Sequence, residues 1–227
     1  MVSGAPTYAV LHRDETLLVV DKAPGVLSVP APGSRERCLL DDLRRDGHKV
    51  APVHRLDRET SGVLLLCLDP ARRDELEAAF RRHEVRKEYL ALVHGVPPER
   101  RATIDVPILD EGATARVDRR GRRAVTHYEV LRQLPARAAG GPVCLLRVTL
   151  ESGRHNQVRV HLAHIGHPLL GDDKYGRRPR GKAAFRPGRC LLHAARLVLR
   201  HPASGRTLDV EAPLPLDMEA ALRALAD

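Results

Sequence analysis

Residues 54–68 read HRLDRETSGVLLLCL. The second half, Gly62 to Leu68, is an unbroken apolar run of strand length with no polar alternation, which predicts a strand buried on both faces. The first half is a polar turn that carries Asp57 between Arg55 and Arg58. An aspartate in a turn immediately before a buried strand is well placed to be held rigidly. Taken alone, the same pattern also describes a structural salt bridge or a turn cap.

Outward from this segment, residues 17–21 (LLVVD) predict another buried strand, which runs into the turn Lys22-Ala23-Pro24-Gly25. Residues 38–46 predict a short helix stopped by Gly47. Asp69 and Pro70 have the form of an N-cap and its first helical residue, opening a helix with Leu76, Ala79 and Phe80 on its apolar face. Strands are predicted at 89–93, 125–131 and 143–150. Val158, Leu162 and Ile165 predict a helix over 155–165, ended by Gly166 with Pro168 beyond it. A closing pair of strands is expected at 190–199 and 207–210 about the turn at 201–205, followed by a C-terminal amphipathic helix. Helices scattered among strands, without strict strand–helix alternation, predict an α+β fold. No internal repeat or linker divides the chain.

The 227 residues, 43% of them hydrophobic and 30% charged, are enough to bury a core without disulfides, and disorder is not the default reading. Lys and Arg number 38 against 29 Asp and Glu, a formal charge of +9 in which Arg dominates. Arginine presents planar, bidentate donors to phosphates and base edges, so the surplus points to nucleic acid. An Arg-rich proteome gives the same totals, so position must decide. Two segments stand out. Residues 116–123 hold five Arg and one Asp, and residues 177–189 hold six basic residues and no acid. Both fall between predicted elements, where exposed loops are expected.

Cys38, Cys67, Cys144 and Cys190 form no CxxC pair and read as small core residues in a reducing compartment. No signal peptide and no run of 18 apolar residues is present, so a cytoplasmic protein without membrane association is expected. His161, His164 and His167 stand three apart, but that spacing drifts around a helix and no Cys or carboxylate joins them. No metal is expected, and His161 is expected to be packed or hydrogen-bonded.

His54 to Gly62 matches in full the HRLDxxTSG motif of the RluA-type pseudouridine synthases, which the chain resembles. Lys87-Glu88-Tyr89 resembles that family's second motif, and Gly153 to Leu162 (GRHNQVRVHL) resembles GRxHQ(I/V)RxHL. Gly166 to Asp172 and Leu192-His193-Ala194 also fit. The similarity spans about residues 16–213 in the family's order. In two places the chain departs from the pattern: Asn156 stands where the family has His, and Lys22-Ala23-Pro24 replaces Lys-Pro. Asn156 can donate and accept hydrogen bonds but cannot become cationic.

The resemblance implies a mixed, mostly antiparallel central sheet with flanking helices and loops around a catalytic cleft. It implies one catalytic domain over 1–227, of the compact type without an S4 domain. It further implies that Asp57 attacks a flipped uridine, at the sugar C1′ or at the ring, and that Arg159 pairs with this carboxylate. Tyr89 is implied to stack beneath the base, with removal of the final proton as a second role. A carboxylate suits covalent attack or stabilisation of a cationic sugar, so no cofactor is expected. The partner is RNA, ribosomal and/or transfer, and the chain is expected to be a monomer. Arg55 is the candidate wedge into the emptied stack, with ordering of the loop as its other reading, and Arg154 a candidate phosphate contact. Arg119, Arg120, Arg178 and Arg180 are candidates for gripping RNA, or solvated surface. A non-catalytic RNA-binding module on the same scaffold is the competing reading. A nuclease would want metal-binding carboxylates or a His pair that the sequence does not offer.

Overall fold

A computed structural model describes residues 6–31, 33, 35–176 and 185–226. In chain order the elements are β1 (Tyr8–Arg13), β2 (Leu17–Lys22), α1 (Leu39–Arg45), β3 (Ala51–Pro52), β4 (Ser61–Cys67) and α2 (Arg73–Arg81). Next come β5 (Arg86–His94), β6 (Arg101–Asp105), β7 (Ile108–Asp110), β8 (Ala115–Val117), β9 (Val125–Leu134) and β10 (Val143–Leu150). The last are α3 (Gln157–His164), β11 (Leu192–Arg200), β12 (Thr207–Glu211) and α4 (Leu216–Ala224). The fold is α+β, and every strand pair with a defined register is antiparallel.

The chain forms two compact units. The first comprises the described residues up to Lys87 together with Ala194–Pro213, and the second comprises Glu88–His193 and the described residues from Leu214. The chain passes from one to the other within β5 and returns within β11.

In the first unit β2 pairs with β1 on one side and β4 on the other, with Leu18 opposite Leu66 and Lys22 opposite Gly62. All seven residues of β4 are buried, as its apolar run requires. Val63, Leu65 and Cys67 share one face with Leu17, Val19, Leu197, Leu199 and Val210, and α2 covers them with Leu76, Ala79 and Phe80. The alternate residues Leu18, Val20, Leu64 and Leu66 are buried as well, so neither face of β2 or β4 meets water there. Asp69 accepts the Ala71 N–H at 3.0 Å as its N-cap reading predicts, although the first turn, Pro70–Arg72, is 3₁₀ and the α-helix follows it.

In the second unit the strand order is β5-β10-β9-β6. Leu92, Leu134, Val143, Leu170, Leu191, Met218 of α4 and Leu225 just after that helix form one core. A smaller core joins Ile108 and Ala115, from the β7–β8 hairpin, to Val160 of α3. This hairpin corrects one expectation. Residues 116–123 are not all loop, because Arg116 and Val117 lie in β8 and Arg122 bridges to Ile108. The short pairing strands leave too little apolar alternation to be read from sequence. The short, charged β6 (RATID) and the mixed β1 (YAVLHR) escaped prediction for the same reason. All four cysteines are buried, and none is in a disulfide. Among the described residues no helix is long and apolar enough to cross a membrane.

Gly62 opens β4 with φ +110°, and a Cβ there would lie 2.1 Å from the Ala194 carbonyl oxygen. Backbone cannot yield as a side-chain tip does. Gly62→Ala is therefore expected to lower unfolding stability by at least about 1–3 kcal/mol, measured by urea denaturation; a value unchanged from wild type would show that β4 tolerates the shift.

Candidate active-site residues

In the first unit, the turn that carries Asp57 is fixed through its backbone. Leu56 is buried, its N–H donates to Ser28 Oγ at 3.1 Å, and the Ser28 hydroxyl donates back to the Leu56 carbonyl at 2.8 Å. One residue beyond Asp57, the Arg58 carbonyl accepts from Gly25 N at 2.9 Å and from Lys22 Nζ at 3.2 Å. Lys22 is fully buried, and its ammonium also donates to the Ala23 and Val26 carbonyls, both at 2.8 Å. Thr60 N–H closes the turn on the Asp57 carbonyl at 3.1 Å. Asp57 is partly buried, and within its unit the carboxylate has no hydrogen-bond or ion-pair partner among the described residues. Arg58 is ion-paired to Glu36. Arg55 is exposed and makes no hydrogen bond or ion pair among the described residues.

His54 has a different task. Its Nε2 accepts the backbone N–H of Leu65 at 2.9 Å, and its ring stacks on Phe80 with centroids 4.3 Å apart. Burial, with the Lys87 charge adding to it, pushes its pKa down to about 3. Protonating Nε2 would break the bond to β4, so this histidine is held neutral by the fold.

In the second unit, Tyr89 lies on β5 opposite Val148 and is buried, with 9% of its surface exposed. Arg159 projects from α3. Its Nε and Nη2 donate to the two oxygens of Asp172 at 2.8 and 2.7 Å, and Nη1 donates to Asn156 Oδ1 at 3.3 Å. The guanidinium lies over the Tyr175 ring, 5.1 Å from its centroid. Burial alone would raise the Asp172 pKa, but the bonds from Arg159 and from the Tyr175 and Lys174 N–H groups prevail and hold it below the usual carboxylate range. Asn156 adopts φ +52°, ψ +25° at the start of α3, a left-handed conformation that Asn tolerates better than most residues. Its Nδ2 donates to the Tyr175 hydroxyl at 3.0 Å, and that hydroxyl also accepts the Ala115 N–H at 2.9 Å.

Gln157 and His161, in the same motif, are bonded within the fold. Gln157 Nε2 donates to Val125 O and Thr126 Oγ1, while its Oε1 accepts from Ser152 and from the Arg154 N–H. His161 is fully buried between Thr126 Oγ1 at 2.9 Å and the Val106 carbonyl at 3.0 Å. Arg154 directs Nε to the Arg123 carbonyl at 3.1 Å. Of the basic turn, Arg120 grips Asp118 through Nε and Nη2 at 3.1 and 3.0 Å, whereas Arg119 is exposed with no ion pair among the described residues. Arg178 and Arg180 lie outside the described residues.

The model of a family described as RNA pseudouridylate synthase matches residues 16–164. The chain belongs to the RNA pseudouridylate synthase family. It is similar to the dual-specificity RNA pseudouridine synthase RluA of Escherichia coli K12, 34% identical over 92% of this chain and 94% of that one. A ribosomal large subunit pseudouridine synthase D of Zymomonas mobilis is 36% identical over 95% of this chain, which spans 72% of that longer protein; the Nitrosomonas europaea counterpart is spanned for 64%. Among solved structures, human RNA Pseudouridylate Synthase Domain Containing 1 superposes with TM-score 0.76 at 28% identity, over 100% of this chain and 99% of that one. The activity of the family is isomerisation of uridine to pseudouridine in RNA.

Sequence reasoning missed Lys22 and Ser28 as the clamps of the Asp57 turn and Tyr175 as the floor under Arg159. A lysine ending an apolar strand was a visible signal for the first; nothing local marked the others. Because the unfolded His54 takes up a proton near pH 6.5 and the folded one only near 3, stability contributed by neutral His54 is present above about pH 6.5 and is lost as pH falls toward 3. His54→Gln is expected to flatten the acid slope of stability by about one proton, roughly 1.4 kcal/mol per pH unit, in urea titrations between pH 6 and 4. An unchanged slope would assign the acid sensitivity to other groups.

Proposed function

We propose that Asp57 is the nucleophile of the isomerisation, that Arg159 pairs with it, and that Tyr89 stacks on the target base. The observation that carries this reading is the turn of the first unit: backbone pinned on both sides of Asp57, carboxylate left without a partner within that unit among the described residues. Such a group is held still without being neutralised, which is what attack requires. The Asp57 oxygen bonds to C1′ or to the ring, the bond from N1 to C1′ breaks, and the base turns. C5 then bonds to C1′ as the carboxylate leaves, N1 takes up a proton, and the C5 proton passes to a base and on to water. The reaction conserves every heavy atom and is redox-neutral, so the mechanism is written without a cofactor.

The chain acts in this reading as one cytoplasmic, monomeric catalytic domain on ribosomal and/or transfer RNA. Arg55 braces the gap left by the flipped base, while Arg154, Arg119, Arg120, Arg178 and Arg180 contact the backbone. RNA carrying tritium at uridine C5 tests the nucleophile: with EDTA present, wild type releases tritium and Asp57→Ala is slower by at least about 10³-fold while still binding RNA. Release by the variant at the wild-type rate removes Asp57 from this role, and strand cleavage would favour a nuclease.

The two arginines of the basic turn differ in a measurable way. Arg119 has no ion pair among the described residues and Arg120 already holds Asp118, so Arg119→Ala is expected to reduce the slope of log Kd against log salt by about 0.7–0.9 and Arg120→Ala by less. Equal changes would show that the Asp118 pair opens on binding.

A further inference from the structure

The side chain of Asp172 is fully buried, with 0% exposed against 12% for Arg159. Its Oδ1 accepts from Arg159 Nη2, Lys174 N at 3.0 Å and Tyr175 N at 2.9 Å, its Oδ2 accepts from Arg159 Nε, and the Cys190 thiol approaches Oδ2 at 3.9 Å. The chain brings it there by way of Gly171, with φ +75°, where a Cβ would lie 1.9 Å from the Arg189 carbonyl oxygen. A buried carboxylate is thus built into the backbone turn first, and the guanidinium is fastened to it.

An arginine side chain is long and flexible, and a single hydrogen bond leaves it free to swing. Here the fork is gripped along its Nε–Nη2 edge, tied at Nη1 by Asn156, and floored by Tyr175. Bidentate pairing of this kind fixes the plane as well as the position of a guanidinium. Any further acceptor is met by its other edge. The pair is also net neutral, so Arg159 offers directed N–H groups more than an unbalanced positive charge.

We propose that Asp172 is a positioning residue for the isomerisation: it acts only through Arg159, whose donors it aims, and does not itself touch RNA. The proposal rests on the reading of Arg159 as the partner of the nucleophile, and a double-mutant cycle separates the two. Single-turnover and steady-state tritium release are measured for wild type, Asp172→Asn, Arg159→Ala and the double variant, with thermal melting of each. Asn keeps the shape and one acceptor for the turn's N–H groups.

Asp172→Asn is expected to lower kcat on the order of 10²-fold with KM for RNA little changed, and to add no further loss in the Arg159→Ala background. A merely structural residue would instead depress both backgrounds alike, and that result, or a near-wild-type kcat for Asp172→Asn, overturns the proposal while leaving Arg159 in its role. Wild-type kcat in Arg159→Ala would overturn the reading of Arg159 itself and the proposal with it. Should Asp172→Asn lose cooperative melting, Asn156→Gly releases the same guanidinium from its other tie at a backbone conformation that glycine adopts readily. Its loss in kcat must likewise vanish in the Arg159→Ala background, and a loss that persists there overturns the proposal.

Discussion

A carboxylate held by its own hydrogen bonds is stable and unreactive; one left loose is reactive and misplaced. In the Asp57 turn the main chain is fastened, while within the first unit the carboxylate has no hydrogen-bond or ion-pair partner among the described residues. Ser28 satisfies both backbone groups of Leu56, and the Lys22 ammonium is ringed by three carbonyls, one of them from Arg58. Burying an ammonium away from water costs several kcal/mol or more, and the three carbonyl dipoles around Lys22 replace part of its lost hydration. The same contacts draw the loop at 23–26 and the turn at 56–60 onto one point. Removing Lys22 would take one tie from each and leave the turn its bonds with Ser28 and Gly25.

The HRLD motif divides its labour by side-chain direction. His54 and Leu56 turn inward, where one braces β4 through the Leu65 N–H and the other fills the core, while Arg55 is exposed and Asp57 only partly buried. The strand that follows has all seven residues buried and pairs in continuous register with β2. Gly62 then allows the close approach to Ala194 that a larger residue would forbid. The precision of the turn is thus inherited from the least adaptable part of the first unit.

This division explains what was legible in the sequence. The apolar run from Gly62 to Leu68, the Asp69-Pro70 helix start and the stop at Gly166 each express a local rule, and each corresponds to an observed element. The α+β class followed from their order. The clamps were not legible, because Ser28 lies 28 positions from Leu56, and Lys22 lies 36 from Arg58. Contacts at that separation leave no periodicity. The β7–β8 hairpin was missed because its three-residue strands are too short to carry a pattern, and its docking depends on Tyr175, 60 residues away from Ala115. Motif resemblance marked Arg159 but not its geometry, which depends on a carboxylate 13 positions along the chain.

The net positive charge also reads differently once partners are visible. Within residues 116–123, Arg116 and Arg120 converge on Asp118, and Arg123 lies 3.6 Å from Asp105. Asp118 is held below the usual carboxylate range, chiefly by its bond from the Arg120 side chain. A run of five arginines is therefore not five free cations. Exposed ion pairs are worth little and exchange readily, so these contacts do not bar a phosphate from replacing a carboxylate. While formed, they direct Arg116 and Arg120 to a single carboxylate. Tyr175 joins that turn's hairpin to Arg159, through the Ala115 N–H on one side and the guanidinium face on the other. The hairpin and the plane of Arg159 thus rest on the same aromatic ring.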